Sequence, residues 1–134
     1  MVEVRLFTPD DLGGVIALCA AENWPSFPED PARALRALTA PGVTTVVAAD
    51  GSQVAGFAQL VSDGEIQAHL SLIAVGPAYR RQSIGRRMLD LGLRMAGGLR
   101  IDLNTTDADD FYASMRHFRM TGFRLYPPFL KDER

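Results

Sequence analysis

A chain of 134 residues that is 47% hydrophobic and 22% charged can build one core and is neither disordered nor fibrous. Its formal net charge of −2 argues against a nucleic-acid binder whose affinity comes from a basic surface, even though thirteen of its fourteen basic residues are arginine. The single cysteine, Cys19, can form no internal disulfide, and without a leader-like or long apolar run the chain reads as cytoplasmic, with no membrane partner.

In chain order, the stretch from Val2 to Phe7 predicts a strand, and Thr8-Pro9-Asp10-Asp11 a helix start with proline at the first helical position. That helix runs to about Glu22 and carries Cys19 among Val15, Ile16 and Leu18, which makes the thiol a small buried hydrophobe. Asn23-Trp24-Pro25-Ser26-Phe27-Pro28 is too proline-rich for regular structure, and a second helix follows over Pro31–Leu38. Two strand-like runs, Val43–Ala49 and Val54–Ser62, flank the hairpin signal Asp50-Gly51-Ser52. After Ser62-Asp63-Gly64 a third strand covers Ile66–Val75, with Ile66, Ala68, Leu70 and Leu72 on one face and Gln67, His69 and Ser71 on the other. A long helix ends near Gly97-Gly98, a strand spans Leu99–Leu103, another helix runs from about Asp107 to Thr121, and Gly122-Phe123 opens a last strand. Asp107 or Asp109 would cap the last helix. The whole reads as one domain over residues 1–134, of α/β (α+β) class with a mixed sheet.

The most informative stretch is Leu72 to Leu89, where an apolar strand delivers an arginine-rich loop into a helix whose apolar positions are Ile84, Met88, Leu91 and Met95. A helix start exposes backbone N–H groups and partial positive charge, which suits a phosphate. Arg80, Arg81, Arg86 and Arg87 crowd this pole, although cations there are disfavoured by roughly 0.3–1 kcal/mol each when exposed. The alternative is a solvated charged face, but the misplaced charge points to an anion. There is no Gly-Lys-Ser/Thr of a Walker loop and no three-glycine dinucleotide fingerprint.

Val75, Pro77, Tyr79 and Arg80, followed by Ser83 and Gly85, resemble the acetyl-CoA-binding signature of the GCN5-related N-acetyltransferases, Gln/Arg-x-x-Gly-x-Gly/Ala, with Ser83 in place of the first glycine. The resemblance extends over most of the chain in element order and implies a mixed, mostly antiparallel central sheet with helices on both faces. It also implies a splayed strand pair that holds acetyl-CoA as co-substrate. By that analogy the backbone of Ile73 and Val75, with Ala74 between them, would meet pantetheine; Arg80 and the N–H groups of Arg81, Gln82, Ser83, Ile84, Gly85 and Arg86 would hold the pyrophosphate. For Ile73 and Val75 plain core packing is compatible with this, because backbone contacts leave the side chain free.

Acetyl transfer to an amine needs a base, a stabilised oxyanion and a proton for the thiolate. His69, eleven residues before Arg80, falls where histone-acetylating relatives of the resembled family carry a glutamate base, and imidazole suits that role. The alternative is a strand histidine without a catalytic task; Glu65 is the fallback base. Many family members place a tyrosine where this chain has Phe118, so Tyr112 becomes the candidate acid, against a default role of packing beside Phe111. His117 reads as an exposed helix position. Asn23, Trp24 and Phe27 fall in a connection that borders the acceptor pocket in this family, though Trp24 serves equally as a core plug.

Two classes of function follow. The first is an N-acetyltransferase acting on a primary amine of a small molecule or polypeptide by direct attack in a ternary complex, since no serine or cysteine has an evident activating partner. No metal is implied. The second is a non-catalytic acyl-CoA-binding module, prompted by Ser83, Phe118 and the few residues after Phe123. An uncovered sheet edge near that end would favour a homodimer.

Overall fold

β-branched runs joined by tight turns make the centre of the molecule. β1 (Val2–Leu6), β2 (Val43–Asp50), β3 (Gln53–Ser62), β4 (Gln67–Val75) and β5 (Arg100–Asp102) form one sheet in that order. The first four are antiparallel neighbours, and β5 lies parallel to β4. This computed structural model describes residues 1–129 as two compact units, Met1–Leu103 and a second that begins at Asn104.

Two faces of the sheet are covered by helices, as expected. On one, Val15 and Cys19 of α1 (Leu12–Ala21) and Leu38 of α3 (Pro31–Leu38) bury against Val47, Phe57 and Ala74. Full burial of a side chain such as Phe57 contributes about 2 kcal/mol. Cys19 is part of this core, and burial, with Glu22 nearby, pushes its thiol up to about 11, which makes it a packing residue. On the other face lies α4 (Ile84–Ala96), which buries Ile84, Met88, Leu89, Gly92 and Ala96. Gly92 is dictated by close approach, since a Cβ there would stand 2.7 Å from Leu60 Cδ1. The helix ends where Gly97 takes a left-handed φ of 85° and its N–H donates to Leu93 O.

The start of α1 is pinned by charge. Thr8 precedes a 3-10 turn, Pro9–Asp11, and the Thr8 N–H donates to Asp11 Oδ2 at 2.8 Å. Both terminal nitrogens of Arg5 reach the same carboxylate, at 2.8 and 2.9 Å. Arg5, more than burial, decides the charge state and holds the Asp11 carboxyl below its ordinary value.

Four local expectations are corrected. Residues Ser26–Glu29 form a one-turn helix, α2, inside the proline-rich connection, because Pro28 sits in a first turn, where a missing N–H costs no helical bond. The alternation of the third strand breaks: Gln59 pairs with Leu72 but Leu60 with Leu70, so Ser71 is a bulge and Leu72 turns to the α1 face. The last helix covers only Asp109–Ala113 (α5), with Ala108 at its cap position, so neither Asp107 nor Asp109 caps it. Between Ser114 and Thr121 the exposed polar residues outnumber the exposed apolar ones, Phe118 and Met120, and an isolated helix of that length is marginal without an apolar stripe to bury. The last strand expected at Gly122-Phe123 does not form; Phe123 is 83% exposed, and no strand follows β5 among the described residues.

Candidate functional site

The sheet opens between β4 and β5. Their ladder joins only Gln67–His69 to Arg100–Asp102, so β4 from Leu70 to Val75 has no strand partner on its outer side among the described residues. The Gly76 N–H donates to Ala55 O at 2.8 Å, so by antiparallel alternation Ala74 also faces β3, while Ile73 and Val75 turn their backbone groups to the open edge. The Ala74 side chain is buried in the core. An extended amide-bearing chain laid along this edge would find donors and acceptors in strand geometry.

At the upper end of β4 the chain makes a 3-10 turn, Pro77–Tyr79, whose Tyr79 hydroxyl lies 2.8 Å from Asp50 Oδ2. That hydrogen bond raises the phenol above its ordinary value and ties the turn to the β2–β3 hairpin. Arg80 folds back: its Nε donates to Val75 O at 3.1 Å and its terminal nitrogen pairs with Glu22 at 3.1 Å. It therefore braces the turn against α1 and occupies one of the two edge carbonyls. Arg81 and Ser83 both adopt left-handed backbone, at φ 64° and 62°. Gln82 bridges back to Ala78 O, and the Arg81 side chain is exposed with no ion-pair partner among the described residues.

Ser83 stands at the cap of α4 without using its hydroxyl as a cap. The first helical bond runs from the Arg87 N–H to Ser83 O, so the N–H groups of Ile84 and Gly85 have no helical acceptor. Ile84 is otherwise a core residue and offers only its backbone. Arg86 is exposed beside them, and the Arg87 guanidinium reaches across to Val2 O at 3.1 Å. A bent run of N–H groups, a helix pole and fixed cations is the donor set a pyrophosphate takes.

His69 sits at the lower end, where the strands part. It is exposed and lies opposite Val61 of β3 and Asp102 of β5, so the three side chains form one row across the sheet. Gln67 Nε2 donates to Asp102 Oδ2 at 3.3 Å. Glu65 lies in the preceding turn, fully outside the ladder.

Asn23 ends α1. Its φ is 61°, its N–H donates to Ala20 O and the next N–H, of Trp24, to Cys19 O, the pair of bonds that closes a helix through a left-handed residue. Trp24 and Phe27, like Leu72, are half-buried against the core on the α1 face. Asn23 and Trp24 also line a cleft of about 380 Å³ with Ala20, Pro25, Pro28 and Glu29. The indole thus serves as core plug and as cleft wall. Tyr112 lies in the second unit, on α5, where its ring meets Phe111 edge-on at 4.9 Å; burial, then Asp107, raises its pKa.

Comparison with known proteins bears on this geometry. The family model described as the acetyltransferase (GNAT) family matches residues 13–123. The chain belongs to this family. The GNAT chain is also similar in fold to solved structures. One is an acetyltransferase of Trypanosoma brucei, 20% identical, with a TM-score of 0.70 over 93% of this chain and 100% of that one. Another is a ribosomal-protein-alanine N-acetyltransferase of Brucella melitensis biovar Abortus 2308, 15% identical, with a TM-score of 0.72 over 94% and 98%. A third is the aminoglycoside N-acetyltransferase AAC(6')-Iy, solved with CoA, 17% identical, with a TM-score of 0.73 over 92% and 94%. No curated protein matches the sequence.

Two groups of this GNAT site have no local signal in the sequence. Glu22 meets Arg80 from 58 residues away, and Asp102 stands opposite His69 only because β5 takes that register. Side-chain spacing along one element cannot reveal either pairing. The strand alternation of Leu99–Leu103, with polar Arg100 and Asp102 on one face, is the nearest hint.

Proposed function

We propose that the protein transfers acetyl from acetyl-CoA to a primary amine of a small molecule or polypeptide, by direct attack within a ternary complex. The observation that carries this reading is the opening between β4 and β5. It presents outward backbone at Ile73 and Val75, with a phosphate-type turn at Arg81–Ser83 above and an imidazole, His69, at the crotch below. Pantetheine laid along β4 would bring the thioester down toward His69. Gln82, Ser83, Ile84, Gly85 and Arg86 would contribute N–H groups to the pyrophosphate with Arg81 as a fixed cation, and Arg80 would hold the turn in shape.

In the reaction His69 accepts a proton from the acceptor ammonium, directly or through water. The freed nitrogen lone pair attacks the thioester carbonyl carbon, a C–N bond forms, and the C–S bond breaks with its electron pair leaving on the CoA thiolate. The amide nitrogen gives up its remaining excess proton, and the thiolate takes one from water. Asn23, Trp24 and Phe27 would border the acceptor, with the indole face available to a cationic or apolar group.

Calorimetric titration with acetyl-CoA and CoA, followed by thiol release in the presence of a panel of primary amines, tests this reading. Micromolar binding with amine-dependent thiol release is expected. Binding without release on any amine would favour the non-catalytic acyl-CoA module, which the missing hydroxyl at Phe118 supports. The same reading takes residues 1–134 as one cytoplasmic acetyltransferase domain, since the family match crosses Asn104, and a homodimer as the assembly. Sedimentation as a monomer at micromolar concentration would remove the dimer.

A further inference from the structure

Asp102 is the last residue of β5 and the last to pair with β4, so its carboxylate stands at the point where the two strands separate. It is half-buried, and its one hydrogen bond comes from a neutral amide, Gln67. No cation pairs with it among the described residues. Arg100, two residues earlier on the same face, lies close enough to Asp63 to help lower that carboxyl instead. Among the described residues the carboxylate therefore has no ion-pair partner; Gln67 contacts it, and it is set directly across from His69. Val61, 44% exposed, continues the row on the far side of the imidazole and offers apolar surface of about one alkyl stem.

We infer that Asp102 anchors the ammonium group of the acceptor beside His69, which makes the protein selective for primary alkylammonium acceptors with an apolar stem next to the reacting nitrogen. The inference rests on the acetyltransferase reading and assigns it a specificity residue. A carboxylate holds the protonated form of the amine, the form that dominates near neutral pH, and presents its N–H to a base that can remove the proton. Val61 then meets the methylenes, so the row Val61, His69 and Asp102 reads stem, proton and charge in turn.

The test follows the His69 ring resonances by NMR during titration with hexylammonium chloride and, separately, with 1-hexanol. Saturable shifts are expected with the ammonium and none with the alcohol. Asp102→Asn should weaken the ammonium response by about ten-fold or more, the scale of one half-exposed charge contact, while Asp102→Glu recovers most of it. Equal responses to ammonium and alcohol, or an Asp102→Asn protein that responds like the parent, would overturn the assignment. Circular dichroism on each variant confirms the fold, and the Glu variant decides the matter if the Asn variant is unstable. Acetyl-CoA calorimetry on the same samples separates the two levels: a parent protein that binds no acetyl-CoA loses the enzyme reading, while the ammonium contrast still decides the role of Asp102.

Discussion

The two ends of β4 are built from different materials. Its upper end runs into a turn made of backbone geometry and fixed charge: left-handed Arg81 and Ser83, helix N–H groups at Ile84 and Gly85, and arginine side chains. Its lower end carries an imidazole and a carboxylate side by side, His69 and Asp102, at a gap in the ladder. The upper end is braced by side chains, Tyr79 to Asp50, Arg80 to Val75 and Arg80 to Glu22, whereas at the lower end the Asp102 carboxylate is met by the Gln67 amide. The contrast separates holding a cofactor, which needs a rigid and permanently positive cradle, from proton transfer, which needs a titratable group with room to meet a substrate.

Substitutions that uncouple the ends break or sharpen this contrast. The largest effect is expected from Arg81→Glu/Arg86→Glu, which replaces two cations by anions. CoA affinity should fall roughly 1000-fold, because charge-assisted hydrogen bonds to phosphate give way to repulsion, together a few kcal/mol. Calorimetry measures it, and an unchanged dissociation constant would remove the upper end from cofactor binding. The reciprocal change, His69→Ala, should leave that constant alone and lower kcat by about 100-fold, the lower bound for general-base catalysis. Full activity in this variant would take His69 out of the mechanism. If the two variants swapped phenotypes, the division of labour along β4 would be wrong.

A third prediction concerns the frame that both ends share. Asp11, ion-paired with Arg5, has a folded pKa below its unfolded value of about 3.9. Between the two values the unfolded chain binds more protons, so stability rises with pH there; the contribution is complete above the unfolded pKa and is lost as pH falls through the folded one. Asp11→Asn should cost about 2 kcal/mol at pH 7, the range for hydrogen bonds to a charged partner. The difference from the parent in urea denaturation should shrink as pH falls below the ordinary carboxylate range. A gap that stays constant with pH would mean that packing, not ionisation, makes the contribution.

Local chemistry made much of the frame legible. A helix over Pro31–Leu38 is expected from the sequence, and the structure has it, opened by the Arg33 N–H bonded to Asp30 Oδ1. Asp50-Gly51-Ser52 predicts a hairpin, and Asp50 pairs with Gln53 across it. What stayed hidden depends on contacts between distant residues. Alternation through Gln67–Leu72 is unbroken in the letters, so nothing local reveals that Ser71 is passed over in pairing with β3. The stretch from Asp107 to Thr121 has enough helix formers to suggest fifteen residues of helix, yet only Asp109–Ala113 is helical, because a helix needs a surface to bury its apolar face against. At the site, Ile73 and Val75 were readable as edge residues through the family pattern, while Glu22 and Asp102 required the sheet register to be known.

Ser83 gives the smallest effect and the sharpest test of the upper end. The family pattern has glycine there, and the structure shows why: φ is 62°, where a Cβ crowds the backbone at a cost of roughly 1–2 kcal/mol. The serine adopts a backbone conformation that glycine takes without strain, so the substitution should act on stability more than on the direction of the loop N–H groups. Ser83→Gly should therefore stabilise the fold by about 0.5–1 kcal/mol, the strain relieved less the extra entropy of glycine in the unfolded chain, or about 3 °C in Tm. CoA affinity should change by less than about three-fold, a small fraction of a charge-assisted contact. A rise of roughly ten-fold or more would mean that the loop is distorted in solution and that glycine restores it. A comparable fall would mean that the hydroxyl itself holds a phosphate oxygen, and the upper end would then rest on a side chain as well as on backbone and fixed charge.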